Sequence, residues 1–541
     1  MKPPKPIEVD AEELSDLKKK VAAGDLSEED RNILQKVITT FIYLNRILKT
    51  KNTTIKRLRK LLFGSKSEKA SKVLKSPKKY SDKSDQDPPD DNSGIAGGAG
   101  AEKKTKKGKG HGRNSSDAYT GADRVKIAHP TLRHADPCPE CPNGKVYLQQ
   151  EPGIIVRVRV AAPLPATIYE LERLRCNLCG TIFTAKPPEQ VGREKYDETA
   201  KAMMALLKYG AGMPFYRLEK LQQSLGLPTP SSTQWDQVEK GADKIYPAYK
   251  ELERRAAQGD FVHNDDTTNR ILDLIKENKT KTKKERTGIF TTGIVCLSED
   301  HKIAIFHTGR RHAGENPQAL LEKRDAEKEP PIQMSDALSH NVPTTFDTIL
   351  ANCLAHARRK FVDVVWSFPD ECRYVIKALG KVYKYDEIAK TEKMSDQQRL
   401  EYHQQYSKPV MDELKNWFNA QLDQKLVEPN SGLVKAINYM RNHWEKLTLF
   451  LTVPKAPLDN NLCERALKQI ILNRKNALFF RSQFGAFISD MYMSLIHTCY
   501  LMHVNPFDYM VALQRYSSAV FKSPSDWMPW KFKATIAAFE T

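Results

Sequence analysis

From residue 65 to residue 123 the composition of the chain shifts to Lys, Ser, Asp, Gly and Pro, as in "SDKSDQDPPDDNSGIAGGAGAEKKTKKGKGHGR". Such a stretch cannot bury enough apolar surface to offset the entropy of ordering it. It is expected to be a flexible basic linker over residues 65–125, so whatever folds must do so on one side of it or the other. The basic run at 103–113 would suit phosphates, although a charge run is more often simply solvated, and no sequence specificity is assigned to it.

On the N-terminal side, Leu34, Phe41, Leu48, Ile55 and Leu62 recur every seventh residue, with Val37, Leu44 and Leu58 at companion positions and Lys51 as the polar break. A seam of this length predicts a helical, coiled-coil region within 1–64, with Lys51 fixing register. The competing reading is a helix packed on its own protein's core. A coiled coil would make the chain a homodimer or higher oligomer.

Beyond the linker, Cys138 and Cys141 ("CPEC") are answered by Cys176 and Cys179 ("CNLC"). Two Cys-x2-Cys pairs supply four thiolates for tetrahedral Zn²⁺ that would hold a small zinc-ribbon domain over 126–188 together. A redox dithiol is the weaker reading, since one such motif would suffice. Nine cysteines, odd in number and mostly scattered, do not make a disulfide framework, and point to a reducing, cytoplasmic setting. No apolar run approaches the ~20 residues of a membrane span, and the start lacks the apolar segment of an export signal. Lys+Arg 86 against Asp+Glu 67 leaves +19, which favours a polyanionic partner, here nucleic acid.

Residues 189–255 read as helices with a Gly226/Pro228/Pro230 break and a restart at Ser231 or Ser232, a helix-turn-helix-like arrangement that any two-helix corner shares. From 256 the pattern alternates. "DFVHND" (260–265) reads as a strand ending in acids, and 288–298 with 302–309 as a hairpin. A helix over 317–324 and a short strand ending at Asp336 follow, and then "ILANCLAHARRKFVDVV" as helix. This succession predicts an α/β domain with a mixed sheet, in which ligands sit beyond strand ends. If 459–475 is helical, Asn460, Glu464, Lys468 and Lys475 share one stripe. Asp265, Asp336 and Glu464 would then offer carboxylates for one or two Mg²⁺ ions of the kind that cut phosphodiesters, with the neighbouring cations on the phosphates. Each acid also has a plain alternative: Asp265 in a loop, Asp336 as an N-cap, Glu464 as a first-turn acid favoured by the helix dipole.

Seven stretches carry a family likeness: "LRKLLFGSKSEK", the Cys pairs, "KYGAGMPFYRLEKL", "HNDDTTNRIL", "SDALSHN", "CLAHARRKF" and "DNNLCERALKQIILNRKNALFFRS". In these the chain resembles the large transposase of the insertion-sequence-66 family over nearly its whole length. The resemblance implies an RNase H-like catalytic core, a mixed five-stranded sheet with helices, over 256–500. It implies a mainly helical insertion at about 365–455, and the block is followed by a helical tail over 501–541. It also implies a DDE triad at Asp265, Asp336 and Glu464, using Mg²⁺ or Mn²⁺. Asp266 makes the first acid ambiguous, though neighbours on a strand face opposite ways. Ala337-Leu338-Ser339-His340 departs from the family's usual small-plus-aromatic residues after the second acid, and 276–288 and 323–331 are unusually charged.

The activity implied is a bacterial DNA transposase. It would cut the element's 3′ ends by hydrolysis, then join them to target DNA by transesterification. Double-stranded DNA at the element ends and the target would be its partner, small accessory transposition proteins would accompany it, and it would lie in the cytoplasm near the nucleoid. His263, His356, Arg358, Arg359, Arg465, Lys468, Arg474 and Lys475 are the candidate DNA contacts, His356 serving equally well as a satisfied histidine at a helix start. The rival readings are a catalytically silent DNA-binding regulator and a metal-dependent nuclease that cuts without joining.

Overall fold

The computed structural model describes residues 194–540 except 283, 284, 299, 300, 339, 340 and 344, and before them parts of 16–38, 130–147 and 162–192. The chain divides into two compact units, Lys79–Pro165 and the rest, Met1–Lys78 with Ala166–Thr541. In the smaller unit the Cys138 N–H donates to Gly144 O at 2.8 Å and Pro137 bridges Lys145. In the larger, β1 (Arg173–Arg175) and β2 (Ile182–Thr184) pair antiparallel. Cys141, Cys176 and Cys179 lie outside the described residues, so the zinc ribbon is not on view. Of the heptad positions only Leu34 and Val37 are described, both helical; the rest of the seam, like the linker, lies outside.

The core of the larger unit is a five-stranded mixed sheet of β3 (Phe261–Thr268), β4 (Phe290–Leu297), β5 (Lys302–Gly309), β6 (Ile332–Ser335) and β7 (Ile349–Asn352). Its order is β5-β4-β3-β6-β7, with β3, β4 and β5 antiparallel and β6 and β7 parallel to β3. This sheet, with helices around it, fits an RNase H-like core.

Two details differ from the sequence reading. The first strand does not stop at its acids, because its ladder with β4 continues to Thr268 opposite Phe290. And "ILAN" is strand β7, not the start of a helix. A short aliphatic run has no period of its own, and pairing with β6 decides its form.

The helices that concern the site are α1 (Glu198–Ala205), α2 (Phe215–Ser224), α3 (Ser231–Ala257), α4 (Glu315–Leu321), α5 (Leu354–Val362), α6 (Pro369–Thr391), α7 (Asp396–Tyr402), α8 (Lys408–Asp423), α9 (Gly432–Asn442), α10 (Asn461–Ala477), α11 (Gln483–Leu501) and α12 (Pro506–Arg515). Helices α5, α6, α8 and α9 build one apolar core with the sheet, in which Phe361, Leu379, Phe418 and Ile437 join Met334 of β6 and Ala351 of β7. Among the described residues no helix is long and apolar enough to cross a membrane.

The outer strand is covered in an unusual way. The outward N–H groups of β5 donate in turn to side chains of α11 and its C-cap. Thr308 N reaches Asp490 Oδ2 at 2.6 Å, Phe306 N reaches Ser494 Oγ at 3.0 Å, and Ala304 N reaches Thr498 Oγ1 at 3.1 Å. Lys302 N reaches Met502 Sδ at 3.2 Å. These acceptors are four residues apart on one helix face, so a helix takes the place of a sixth strand.

Candidate active site

The register of the parallel pair places the first two acids. Phe261, Val262 and His263 of β3 lie level with Ile332, Gln333 and Met334 of β6, and the pairing ends there. Carried two residues further, the same register sets Asp265 level with Asp336, and level residues on neighbouring strands share a face. Both acids therefore emerge where the two strands stop bonding each other.

The third acid arrives by helix packing. Across the sheet Asp265 pairs with Gly293 of β4. A Cβ on Gly293 would stand 2.8 Å from Leu467 Cδ2 and 2.9 Å from Leu467 Cγ, so only glycine lets α10 come this close. Cys463, buried one residue before Glu464, donates its thiol to Gly293 O at 3.2 Å. Asn460 fixes the start of the helix. Its N–H donates to Cys353 Sγ at 3.2 Å and its side-chain amide donates to Asn264 O at 3.0 Å. Its Oδ1 lies 3.1 Å from His263 Nδ1. Burial pushes the His263 imidazole down to about 4, so it is neutral and its Nδ1–H donates to that oxygen.

Asp336 is steadied by a polar network. Asn341 Nδ2 and the Leu338 N–H both donate to Asp336 Oδ1. Asn341 O in turn accepts from Asn264 Nδ2 at 2.9 Å and from Gln333 Nε2 at 2.8 Å, and Gln333 also donates to Asn264 Oδ1. From the helical insertion Tyr439 closes in, its hydroxyl pushed up to about 12 by burial and by the charge of Asp336.

The ambiguity between Asp265 and Asp266 has a geometric answer. Asp266 Oδ1 accepts from Thr292 Oγ1 at 2.7 Å and its Oδ2 from Ala313 N at 2.8 Å, with His312 Nδ1 3.5 Å away. Both its oxygens are thus engaged on one face. Asp265 points to the other, where burial, only partly offset by the Asp266 N–H, pushes its carboxyl up to about 7 with help from the charges of Asp336 and Glu464. Among the described residues no basic side chain comes within ion-pair distance of Asp265 or Asp336. Asp265 feels the charges of Asp336 and Glu464, but the three do not form a closed cage. The one triple of donors that lies within 4.8 Å of one another, among the described residues, is Cys353, His356 and Glu464.

The candidate DNA contacts divide. Arg465, Lys468 and Lys475 are exposed on α10. His356, Arg358 and Arg359 are half-buried on α5, with His356 Nε2 3.7 Å from Glu464 Oε1 and Arg359 Nη2 4.0 Å from Glu464 Oε2. His263 is 3% exposed, and a phosphate could not reach it. Arg474 is committed to the sheet, donating to Thr267 Oγ1, Thr268 Oγ1 and Thr268 O. These two differ from the sequence reading because a strand residue's facing and an arginine's partner are set by neighbours far along the chain. Asn341, Gln333, Asn264 and Gly293, which hold the acids in place, were not singled out. Their only local trace is the polar character of "HND" and "SDALSHN".

A separate cavity of about 490 Å³ opens in the insertion, lined by Lys415, Arg441, His443, Trp444 and Lys446 among others. Lys415 Nζ stands 5.6 Å over the Trp444 ring, and none of the three acids lies there.

Comparison with known proteins adds the following. The family described as "Transposase IS66 family" matches residues 194–487, which span the sheet, the insertion and α10. An uncharacterized protein, y4hP, of Sinorhizobium fredii (strain NBRC 101917 / NGR234) is 28% identical over 392 residues, 68% of this chain and 68% of its own. A second from the same organism, uncharacterized protein y4jD, is 34% identical over 190 residues, 34% of this chain and 36% of its own.

Proposed function

The chain belongs to the IS66 transposase family, and from that premise we propose that it is the DNA transposase of a bacterial insertion sequence, with Asp265, Asp336 and Glu464 as its catalytic acids. What supports this reading is that the charges of Asp336 and Glu464, acids from distant parts of the chain, both bear on the buried Asp265, while among the described residues no basic side chain lies within ion-pair distance of Asp265 or Asp336. Concentrated negative charge of this kind fits a divalent ion. Glu464 Oε1 supports it too, being buried with no hydrogen-bond partner among the described residues.

Asp265, Asp336 and Glu464 would hold Mg²⁺ or Mn²⁺, which when bound activates an attacking oxygen and stabilises the leaving one. The chain's own residues do the rest. Asn341 and the Leu338 N–H orient Asp336, Gly293 and Asn460 set the distance of Glu464 from the sheet, and burial keeps water from solvating Asp265. Arg465, Lys468 and Lys475, with Arg358 and Arg359, would receive the strand's phosphates, while His263 and Arg474 act behind the site as positioning residues. Hydrolysis breaks the bond between phosphorus and the 3′ oxygen at the element end and leaves a 3′-hydroxyl. That hydroxyl then attacks a target phosphorus and releases the target's own 3′ oxygen. No covalent bond to the protein forms.

Purified protein with labelled element ends and a target plasmid tests this. Glu464→Gln should lose cutting and joining by more than about 100-fold, beyond the usual cost of an outer-shell change, while still binding the ends. Joining at the wild-type rate by that variant would refute the assignment. Cutting without joining by the native chain would favour a nuclease.

A further inference from the structure

Glu464 has neighbours that Mg²⁺ chemistry does not need. Cys353 is the N-cap of α5 and His356 stands in its first turn, three residues on, where the two share a face. Glu464 stands in the first turn of α10, and Asn460 ties the two helix starts together through Cys353 Sγ. One ligand atom from each of Cys353, His356 and Glu464 falls within 4.8 Å of the others. His356 Nδ1 and Glu464 Oε1 are both buried without a hydrogen-bond partner among the described residues.

We propose that Cys353, His356 and Glu464 form a binding site for Zn²⁺ or a similarly soft divalent ion, and that filling it draws Glu464 away from the acid cluster and silences the enzyme. The donor set selects the metal. A sulfur and an imidazole suit Zn²⁺, whereas Mg²⁺ wants oxygen alone. Zinc bonds of roughly 2.0–2.3 Å place tetrahedral donors under about 4 Å apart. His356 Nε2 and Glu464 Oε1 already stand 3.7 Å apart, so only a small closure by the sulfur remains. Two converging helix N-termini favour the thiolate. Three protein donors leave a fourth position for water. Metal binding takes the thiolate and so releases the Cys353 proton to solvent. The site itself stands apart from the functional proposal; only the silencing rests on Glu464 being catalytic.

The full chain, stripped of metal and reloaded with Co²⁺ as a spectroscopic stand-in for Zn²⁺, tests the site. Cys138, Cys141, Cys176 and Cys179 are expected to take metal as well, so the readout is a difference between variants. Cys353→Ser and, separately, His356→Gln should each lose one bound equivalent and part of the thiolate-to-cobalt band, with unchanged far-ultraviolet dichroism. Equal stoichiometry and equal spectra in folded wild type and both variants would overturn the proposal. Should Cys353→Ser fail to fold, His356→Gln alone decides. For the silencing, Zn²⁺ is titrated into the Mg²⁺-dependent cutting reaction, each protein measured against its own zinc-free rate. The wild type should be inhibited at Zn²⁺ levels that spare Cys353→Ser. Equal inhibition would discard the silencing while leaving the site, and absence of cutting by the wild type would count against the functional proposal alone.

Discussion

Asp386 in the helical insertion and Asp265 in the sheet are both largely withdrawn from water, and they end in opposite states. Around Asp386 the chain has gathered two cations and a histidine. Lys390 Nζ is 2.6 Å and Arg399 Nη2 2.8 Å from its oxygens, and His403 Nε2 is 3.3 Å away. Burial opposes its charge, but the His403 hydrogen bond and the charges of Arg399 and Lys390 outweigh it and hold the carboxyl well below the usual range. Around Asp265 the chain has gathered further acids, and burial and their charge push it up to about 7. One buried acid is paired fully, while among the described residues no basic side chain stands within ion-pair distance of Asp265 or Asp336, and that contrast is what the proposed divalent ion would answer.

Substitutions can break this contrast. The largest effect on stability is expected at the paired acid. Asp386→Asn strands the largely buried Arg399 and takes away the partner of His403, and should cost about 3 kcal/mol in urea unfolding near neutral pH. Because the folded carboxyl is depressed below its ordinary value near 3.8, its contribution is complete above that value and is lost as pH falls below it, so the variant's deficit should shrink in acid. Unfolding of the variant like wild type at pH 7 would mean that the cations do not need this acid.

At the unpaired acid the sign reverses. Asp265 binds its proton more tightly folded than unfolded, so stability without metal falls as pH rises from about 3.8 to about 7 and the full penalty remains above that. Asp265→Asn removes the penalty. It should raise metal-free stability at pH 8 by on the order of 2 kcal/mol, have little effect near pH 3.8, and abolish the stabilisation that Mg²⁺ gives the wild type. Thermal unfolding across pH, with and without Mg²⁺, checks all three. A variant less stable than wild type at pH 8 would end the comparison.

The smallest expected effect sharpens the contrast. Asn341→Ala frees Asp336 without removing a carboxylate, and should weaken the Mg²⁺ dependence of cutting by roughly tenfold, as outer-shell changes do. Unaltered Mg²⁺ titration would reduce Asn341 to a loop residue.

The sequence made some of this architecture legible and hid the rest for physical reasons. The strand-like alternation of 288–298 and 302–309 is local, and so the β4–β5 hairpin could be read from it. Asp265, Asp336 and Glu464 can be nominated through their motifs, yet the reach of Asp336 and Glu464 toward Asp265 depends on a parallel register and on a bare Gly293, which no local pattern records. "ILAN" carried too few residues to declare a period. His263 read as a phosphate contact and instead turns inward to Asn460, because alternation along a strand does not say which face the core will take. Asp490, Ser494 and Thr498 look like polar blemishes in an apolar helix until the bare edge of β5 is set beside them.

That edge has a consequence for assembly. Since one helix holds the outward amides of Lys302, Ala304, Phe306 and Thr308, the rim strand cannot peel away without taking the helix with it, and the two should open to hydrogen exchange as a single unit. Nor has this border of the sheet a row of spare donors to lend a neighbour. Two copies of the chain could therefore not join by extending this rim into a shared sheet.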